Sequence, residues 1–213
     1  MPHAYFVTET TPRGLRVTVS NPLFFDAFRQ RNQRLDDANL EGLPVCRLLD
    51  TSPPSRDEDV RGQTVEVQTI QEARALALQC IDLVAKLHAE GMVHGAIERS
   101  ALRTEDGVVV LGAPAPLLVP GMDACPDVFA GGTPGPRMDI WALGQLLLEL
   151  GNEVDDDLLC HVGAWTTNSM DPAKRPSLAA VREQFTQQET SRRWPAVAAT
   201  SVALALCAIS FLL

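Results

Sequence analysis

Within the first forty residues, two short segments alternate apolar and polar positions, and a mostly polar stretch follows them. Residues 5–7 and 15–19 each alternate in this way around a turn signal at residues 11–14, which contains Pro12 and Gly14. This pattern predicts a β-hairpin. The pair Asn21-Pro22 then predicts the start of a polar helix that reaches about Asn39.

Two contrasting segments follow this helix. Residues 43–49 are mostly apolar and predict a strand. Residues 51–62 are rich in proline, serine and charge, a composition typical of a linker. The sequence therefore predicts a break in regular structure between residues 51 and 62.

A strong amphipathic helix comes next and ends at Gly91. Its apolar residues recur every three or four positions, which places them on one helix face; they are Ala73, Leu76, Ala77, Cys80, Leu83, Val84 and Leu87. Residues 108–111 follow the turn pair Asp106-Gly107 and predict the second strand of a β-hairpin.

Three further helix signals lie in the second half of the chain. Residues 140–150 are apolar nearly all round and predict a helix that is buried on every side. The acidic run at residues 155–157 favours the start of the next helix, and Ser177 is placed to cap a last amphipathic helix that reaches about Gln187.

The segment from Trp194 to Leu213 is apolar and carries no charge. At 1.5 Å per residue its twenty residues span about 30 Å, the thickness of a bilayer's hydrocarbon core. Arg192 and Arg193 precede it, and arginines beside a span favour the cytoplasmic side. We therefore expect a single C-terminal transmembrane helix with the preceding residues in the cytoplasm.

Composition narrows the function classes. The formal net charge is −9, which argues against a nucleic-acid partner because such proteins neutralise phosphates with Lys and Arg. The five cysteines form no C-x-x-C pair, so we expect reduced, buried thiols. The first residues lack the features of a secretory signal peptide.

Four ordered motifs resemble those of eukaryotic-type Ser/Thr protein kinases. Residues 87–96 (LHAEGMVHGA) are similar to the end of the long helix and the catalytic loop, which in the family reads His-Arg-Asp. Residues 125–129 (CPDVF) resemble the Ala-Pro-Glu element. Residues 139–144 (DIWALG) resemble the start of the central helix, and residues 171–177 (DPAKRPS) a late element of the large lobe. The motifs cover roughly residues 70–187.

The resemblance implies structural roles for several residues. Asp127 and Arg175 would form the ion pair that ties the activation segment to the lobe, as a bidentate contact if partly buried. Asp139 would accept hydrogen bonds from backbone N–H groups near His94, itself expected to be a packed core residue. Two further positions of the central-helix motif are Trp141 and Gly144.

The residues that carry phosphoryl transfer in this family are absent at the matching positions. The catalytic Asp position holds Ala96, and the lysine two residues later is Glu98. The metal-binding Asn position holds Ala101, and Ala113 lies where the Asp-Phe-Gly element is expected. The resemblance therefore implies a degenerate site without a catalytic residue or a metal ligand.

The N-terminal part also lacks the lysine that contacts the phosphates of ATP. Only two of the 18 basic residues are lysines, Lys86 and Lys174. The third-strand candidate places Thr18 at the lysine position, and no glycine-rich loop is present. If the helix from Pro22 corresponds to the regulatory helix, the position of its usual Glu falls at Arg31. ATP would then meet an acidic protein without a compensating lysine or Mg²⁺ ligand.

Together these observations predict an α+β, protein-kinase-like fold. The expected organisation is a minimal β-rich N-terminal lobe and linker (1–60), a mainly helical C-terminal lobe (61–187), a juxtamembrane linker (188–193) and one transmembrane helix (194–213).

The favoured function is a membrane-tethered pseudokinase that acts as a regulator or scaffold in signalling. We expect protein partners at the membrane, contact with lipid through the last helix, no nucleic acid, no cofactor and no ATP binding. Two alternatives remain at this point. One is a divergent ATP-binding kinase that uses non-standard residues such as Glu98, Glu105 and Asp106. The other is a helical membrane adaptor unrelated to kinases.

Overall fold

A computed structural model of the chain describes residues 6–11, 14–37, 48–50, 55–58, 63–115, 118 and 125–187. The strands are β1 Phe6–Thr11, β2 Gly14–Val19, β3 Leu48–Asp50, β4 Ser55–Glu58, β5 Gln63–Thr64, β6 Leu102–Glu105 and β7 Val108–Leu111. The helices are α1 Phe25–Asp37, α2 Ile70–Ala89, α3 Pro126–Phe129, α4 Pro136–Val154, α5 Asp157–Thr167 and a helix over residues 178–187, named α6. Short 3-10 turns occur at Pro22–Phe24, Arg99–Ala101 and Pro172–Lys174.

The N-terminal strands form an antiparallel sheet in the order β1-β2-β4-β3. The predicted hairpin is confirmed, with Phe6 opposite Val19 and Thr11 opposite Gly14. The predicted helix is also confirmed: the Asn21 side chain accepts a hydrogen bond from the backbone N–H of Leu23 at 3.0 Å, and α1 follows the first 3-10 turn. The predicted strand over 43–49 is described only from Leu48 onward.

The predicted linker over residues 51–62 is wrong in its middle, because β4 lies there. This strand has the sequence SRDE and pairs with β2 on one edge and β3 on the other. Its composition gives no strand signal, since Asp and Glu are depleted in strands. The backbone hydrogen bonds that both neighbouring strands offer decide its conformation instead.

The main core lies between α2, α4, α5, α6 and the second sheet, whose order is β5-β6-β7. Helix α2 begins with a capping box, in which the Thr69 hydroxyl accepts from Glu72 N–H at 3.2 Å and Glu72 accepts from Thr69 N–H at 3.0 Å. The predicted apolar face of α2 is buried throughout, and the predicted 108–111 hairpin is confirmed as β6 and β7.

Helix α4 packs unusually closely on α5 because glycines face each other across the pair. An added Cβ at Gly144 would collide with the Thr166 side chain and lie 2.7 Å from Thr167 Cγ2. An added Cβ at Gly163 would lie 2.7 Å from the Gly144 carbonyl. The prediction that this helix is buried on every side is wrong at Gln145 and Glu149, which are exposed. The helix therefore keeps one solvent-facing stripe.

The acidic run at residues 155–157 ends one helix and begins the next. Asp155 takes a left-handed conformation with φ 54° at the C-terminus of α4. Asp156 caps α5 by accepting from Leu158 N–H at 3.1 Å. Its two oxygens also accept from Arg74 of α2, at 2.6 Å from Nε and 2.7 Å from Nη2. This bidentate pair fixes α2 to the corner between α4 and α5.

The segment from Trp194 to Leu213 lies outside the described residues. Among the helices that the structure describes, none is both long enough and apolar enough to span a bilayer.

The close helix pair gives a first prediction. Replacing Gly144 by alanine should lower the free energy of unfolding by about 3 kcal/mol, because the new methyl group overlaps Thr166 in a packed interior. Chemical denaturation of the full chain in mild detergent measures this. Gly135→Ala is the matched control, since an added Cβ there meets nothing within 4 Å. Equal effects of the two substitutions would contradict the packing described.

Candidate functional site

The loop after α2 is held by a buried carboxylate. Asp139, in the first turn of α4, has no exposed surface. Its Oδ2 accepts from the backbone N–H of His94 at 2.7 Å, and its Oδ1 accepts from that of Gly95 at 2.7 Å. The side chain thus holds the loop against the central helix, as the resemblance implies.

A third partner of this carboxylate comes from α2. His88 Nε2 lies 2.9 Å from Asp139 Oδ2. Because a carboxylate oxygen accepts, the imidazole donates from this nitrogen. His88 stands in the last turn of α2, so one side chain of α4 joins the end of α2 and the loop that follows it. The sequence contained this histidine in the Leu-His motif but assigned no role to it.

His94 is fully buried and its ring is held at both nitrogens. Nε2 lies 2.8 Å from the carbonyl oxygen of Gly112, which can only accept. Nδ1 lies 3.2 Å from the backbone nitrogen of Ala96, which can only donate. The ring is therefore the neutral tautomer with its proton on Nε2. This arrangement fits the expected packed core residue, because both nitrogens serve the backbone.

The resemblance matches Ala96, Ala101 and Ala113 to the catalytic and metal-binding positions, and each of them is linked to Gly112 through the chain or through hydrogen bonds. Ala96 borders His94, whose ring bonds the Gly112 carbonyl. The Ala101 carbonyl accepts a hydrogen bond from the Gly112 N–H at 2.7 Å. Ala113 directly follows Gly112 in the sequence. A methyl group cannot accept a proton or ligate a metal ion. None of these three side chains has a polar atom.

The acids noted near this loop in the sequence are all exposed. Glu98 is exposed and accepts from the Ser100 hydroxyl at 2.5 Å. Glu105 and Asp106 are exposed at the far end of the β6–β7 hairpin. Within the described ranges, no group of three or more His, Cys, Asp or Glu residues is arranged to hold a metal ion.

The predicted ion pair between Asp127 and Arg175 is present. Arg175 Nη2 donates to Asp127 Oδ1, and the arginine side chain has no exposed surface. The pair is not bidentate, because the other nitrogens of Arg175 bond backbone carbonyls. Nε donates to Ser169 at 3.3 Å and Nη1 donates to Arg137 at 3.0 Å. One guanidinium thus connects α3, the start of α4 and the loop before α6.

The environment of Asp127 lowers the pKa of its carboxyl group. Burial would raise this pKa, but the hydrogen bonds from Arg175 and from the Cys125 thiol, together with the arginine charge, outweigh it. Cys125 Sγ lies 2.8 Å from Asp127 Oδ1. The carboxylate is therefore ionised throughout the physiological range.

Two further residues of the central-helix motif have packing roles. Trp141 is half-buried against a cluster formed by Cys125, Val128 and Met138. Gly144 permits the close approach of α5 described above. The described cysteines are free, and burial raises the pKa of the Cys80 thiol to about 12. This agrees with the expected unreactive core thiol.

Helix α1 contacts the loop after α2 through Arg31. The Arg31 side chain is buried. Its Nε donates to the Ala115 carbonyl at 3.2 Å, and Nη2 donates to the Val93 carbonyl. In β2, Thr18, which the resemblance matches to the lysine position, is half-buried, and Arg16 is exposed. Arginine at residue 31 was noted in the sequence, but its partners lie more than sixty residues away and gave no signal.

The Asp127–Arg175 pair gives a second prediction. Asp127→Asn should lower the free energy of unfolding at pH 7 by about 3 kcal/mol, because it leaves a buried guanidinium without its carboxylate. The folded-state pKa is lowered, so the contribution is complete above the ordinary value of 3.8 and is lost as the pH falls through the lower folded-state value. The difference between wild type and variant should therefore narrow below about pH 3.8.

The same experiment includes its own controls. Glu149→Gln removes one exposed carboxylate from α4 and should change stability by less than about 0.5 kcal/mol. A double-mutant cycle with Asp127→Ala and Arg175→Ala should give a coupling of about 2 kcal/mol. Additive effects in that cycle would show that Asp127 and Arg175 do not stabilise each other.

Comparison with known proteins identifies the fold. No family model and no curated protein matches the chain. A crystal structure of a double mutant of the PknI kinase domain from Mycobacterium tuberculosis aligns with a TM-score of 0.58 at 16% identity, covering 88% of this chain and 97% of that chain. A second double mutant of the same domain gives 0.58 at 17% identity, covering 87% and 96%. The chain therefore has an α+β fold similar to that of a protein kinase domain.

Proposed function

We propose that this chain is a catalytically inactive, kinase-like domain that works by protein contacts at a membrane. The observation that carries the proposal is a contrast around one loop. Asp139 holds the backbone of His94 and Gly95 at 2.7 Å, whereas the side chains presented beside this framework are those of Ala96, Ala101 and Ala113. A loop that is held in place beside side chains without polar atoms supports the proposal that the chain does not transfer phosphate.

Charge supports the same proposal. MgATP needs cationic groups or metal ligands to compensate its phosphates, and the chain has a formal net charge of −9. No lysine precedes Lys86 in the sequence. Arg31, the buried arginine of α1, donates to the carbonyls of Val93 and Ala115. These features disfavour the divergent ATP-using kinase, and the kinase-like fold disfavours an unrelated helical adaptor.

The membrane part of the proposal rests on the sequence. Twenty uncharged residues from Trp194 to Leu213 follow the arginine pair Arg192-Arg193, which favours a C-terminal helix with the kinase-like domain on the cytoplasmic side. Helix α6 is described up to residue 187, so few residues separate the domain from the proposed span. The domain would then meet partners close to the lipid surface.

A nucleotide titration tests inactivity, as a third prediction. The melting temperature of the full chain in mild detergent should not change with ATP, with or without Mg²⁺. A site filled at a hundred times its dissociation constant would add about 2.7 kcal/mol, or roughly 5–11 °C for a chain of this size. An active protein kinase in the same detergent is the positive control. A metal-dependent rise would favour the divergent ATP-binding kinase.

Membrane extraction tests the tether, as a fourth prediction. The full chain should remain with membranes after alkaline carbonate washing. The double variant Leu204→Arg/Leu206→Arg should be released, because each charge costs about 2.5–3.5 kcal/mol at the centre of a membrane helix. The matched control Leu204→Ile/Leu206→Ile should stay in the membrane fraction. Release of the wild-type chain would overturn the tether.

The scaffold role has a readout in the same membranes. Crosslinking should join the full chain to a specific set of membrane-associated proteins. The released double arginine variant should lose these neighbours, whereas the isoleucine control should keep them. An identical set for all three proteins would show that the contacts do not depend on the membrane.

A further inference from the structure

The buried arginine of α1 lies where three segments of the chain meet. Arg31 is 8% exposed. Its Nε donates to the carbonyl of Ala115 at 3.2 Å. Its Nη2 donates to the carbonyl of Val93 and, at 3.5 Å, to that of His94. One side chain of the N-terminal part thus binds both the loop after α2 and the segment after β7.

These acceptors already belong to one hydrogen-bonded unit. The backbone N–H of Ala115 donates to the His94 carbonyl at 2.7 Å, and the His94 ring bonds the Gly112 carbonyl at 2.8 Å. The loop and the segment over residues 112–115 are therefore paired before Arg31 is considered. The Arg31 guanidinium connects α1 to both of these segments. Its charge is stabilised by carbonyl dipoles inside the protein.

Apolar packing continues the contact beyond Ala115. Leu118 packs against the cluster that contains Val93 and Met138. It lies so close to Gly95, which has φ +76°, that a Cβ at this glycine would overlap the leucine side chain. Glycine is required here both for the left-handed backbone and for the close approach. The segment after β7 is thus held on the loop by polar contacts at one end and by an apolar contact at the other.

The segment after β7 has no residue that could be phosphorylated to change these contacts. Residues 105–132 contain no Ser, Thr or Tyr, so no hydroxyl group is available there for phosphorylation. The contacts that hold the segment are backbone hydrogen bonds, an arginine, aliphatic side chains and the buried imidazole of His94.

We propose that Arg31 is a permanent internal latch that holds α1, the loop over residues 92–95 and residues 112–115 together with Leu118 as one cooperative unit. The unit needs neither bound nucleotide nor phosphorylation to form. A domain built in this way keeps one constant surface around this loop. The inference goes beyond the proposed function and holds whether or not the chain transfers phosphate.

Hydrogen exchange of the full chain in mild detergent tests the latch, as a fifth prediction. Arg31→Met keeps the length and apolar stem of the side chain but removes the donors. It should raise amide exchange about tenfold or more in peptides that cover residues 92–96, 112–115 and α1, and leave α5 unchanged. Arg29→Met is the matched control, because Arg29 lies on the same helix with a side chain 65% exposed. Equal exchange in the two variants would overturn the proposal.

A measurement on the unaltered protein covers the case in which Arg31→Met unfolds or exchanges faster everywhere. Exchange of the wild-type chain is followed at increasing, sub-denaturing concentrations of denaturant. The amides of α1 and the amide of Ala115 should open with the same free energy and the same denaturant dependence. Opening of α1 while Ala115 remains protected would show separate units and refute the latch. Neither result depends on nucleotide binding or membrane insertion.

Discussion

The carboxylate of Asp139 is buried completely, and a buried acid requires donors to offset its lost hydration. It receives them from the backbone of His94 and Gly95 and from the imidazole of His88. Its place in the first turn of α4 also favours a negative charge. This one group therefore joins the central helix, the end of α2 and the loop between them. The position of that loop then determines what His94 and Arg31 can reach.

The contacts that depend on this loop are mostly to the backbone. His94 bonds Gly112 and Ala96 through main-chain groups, and Arg31 bonds three carbonyls. Side chains at the positions of Ala96, Ala101 and Ala113 contribute little to such a framework. The fold can therefore hold this loop in place although the side chains at these three positions are methyl groups without a proton acceptor or a metal ligand. This separation of framework from chemistry is the physical basis of the proposed inactivity.

The rest of the helical part is secured by long-range pairs. Arg175 joins Asp127 to the carbonyls of Ser169 and Arg137, and Arg74 joins α2 to Asp156. Helices α4 and α5 pack closely on each other because Gly144 and Gly163 lie at their contact. The stretch from residue 139 to residue 175 is described throughout and holds α4, α5 and one 3-10 turn. A short lobe of this kind obtains its rigidity from ion pairs and close packing.

The amino-acid sequence by itself determined the local elements: periodicity and capping residues predicted α2, the two hairpins and the helix starts at Asn21 and Ser177. Ordered motifs also indicated the fold and the contacts of Asp127 and Asp139. Only the tertiary structure decided that residues 55–58 form a strand, that Arg74 meets Asp156 and that Arg31 meets the loop. The reason is physical, because local pattern reports which face of an element is apolar. Which polar groups meet across sixty or more residues depends on how the elements pack.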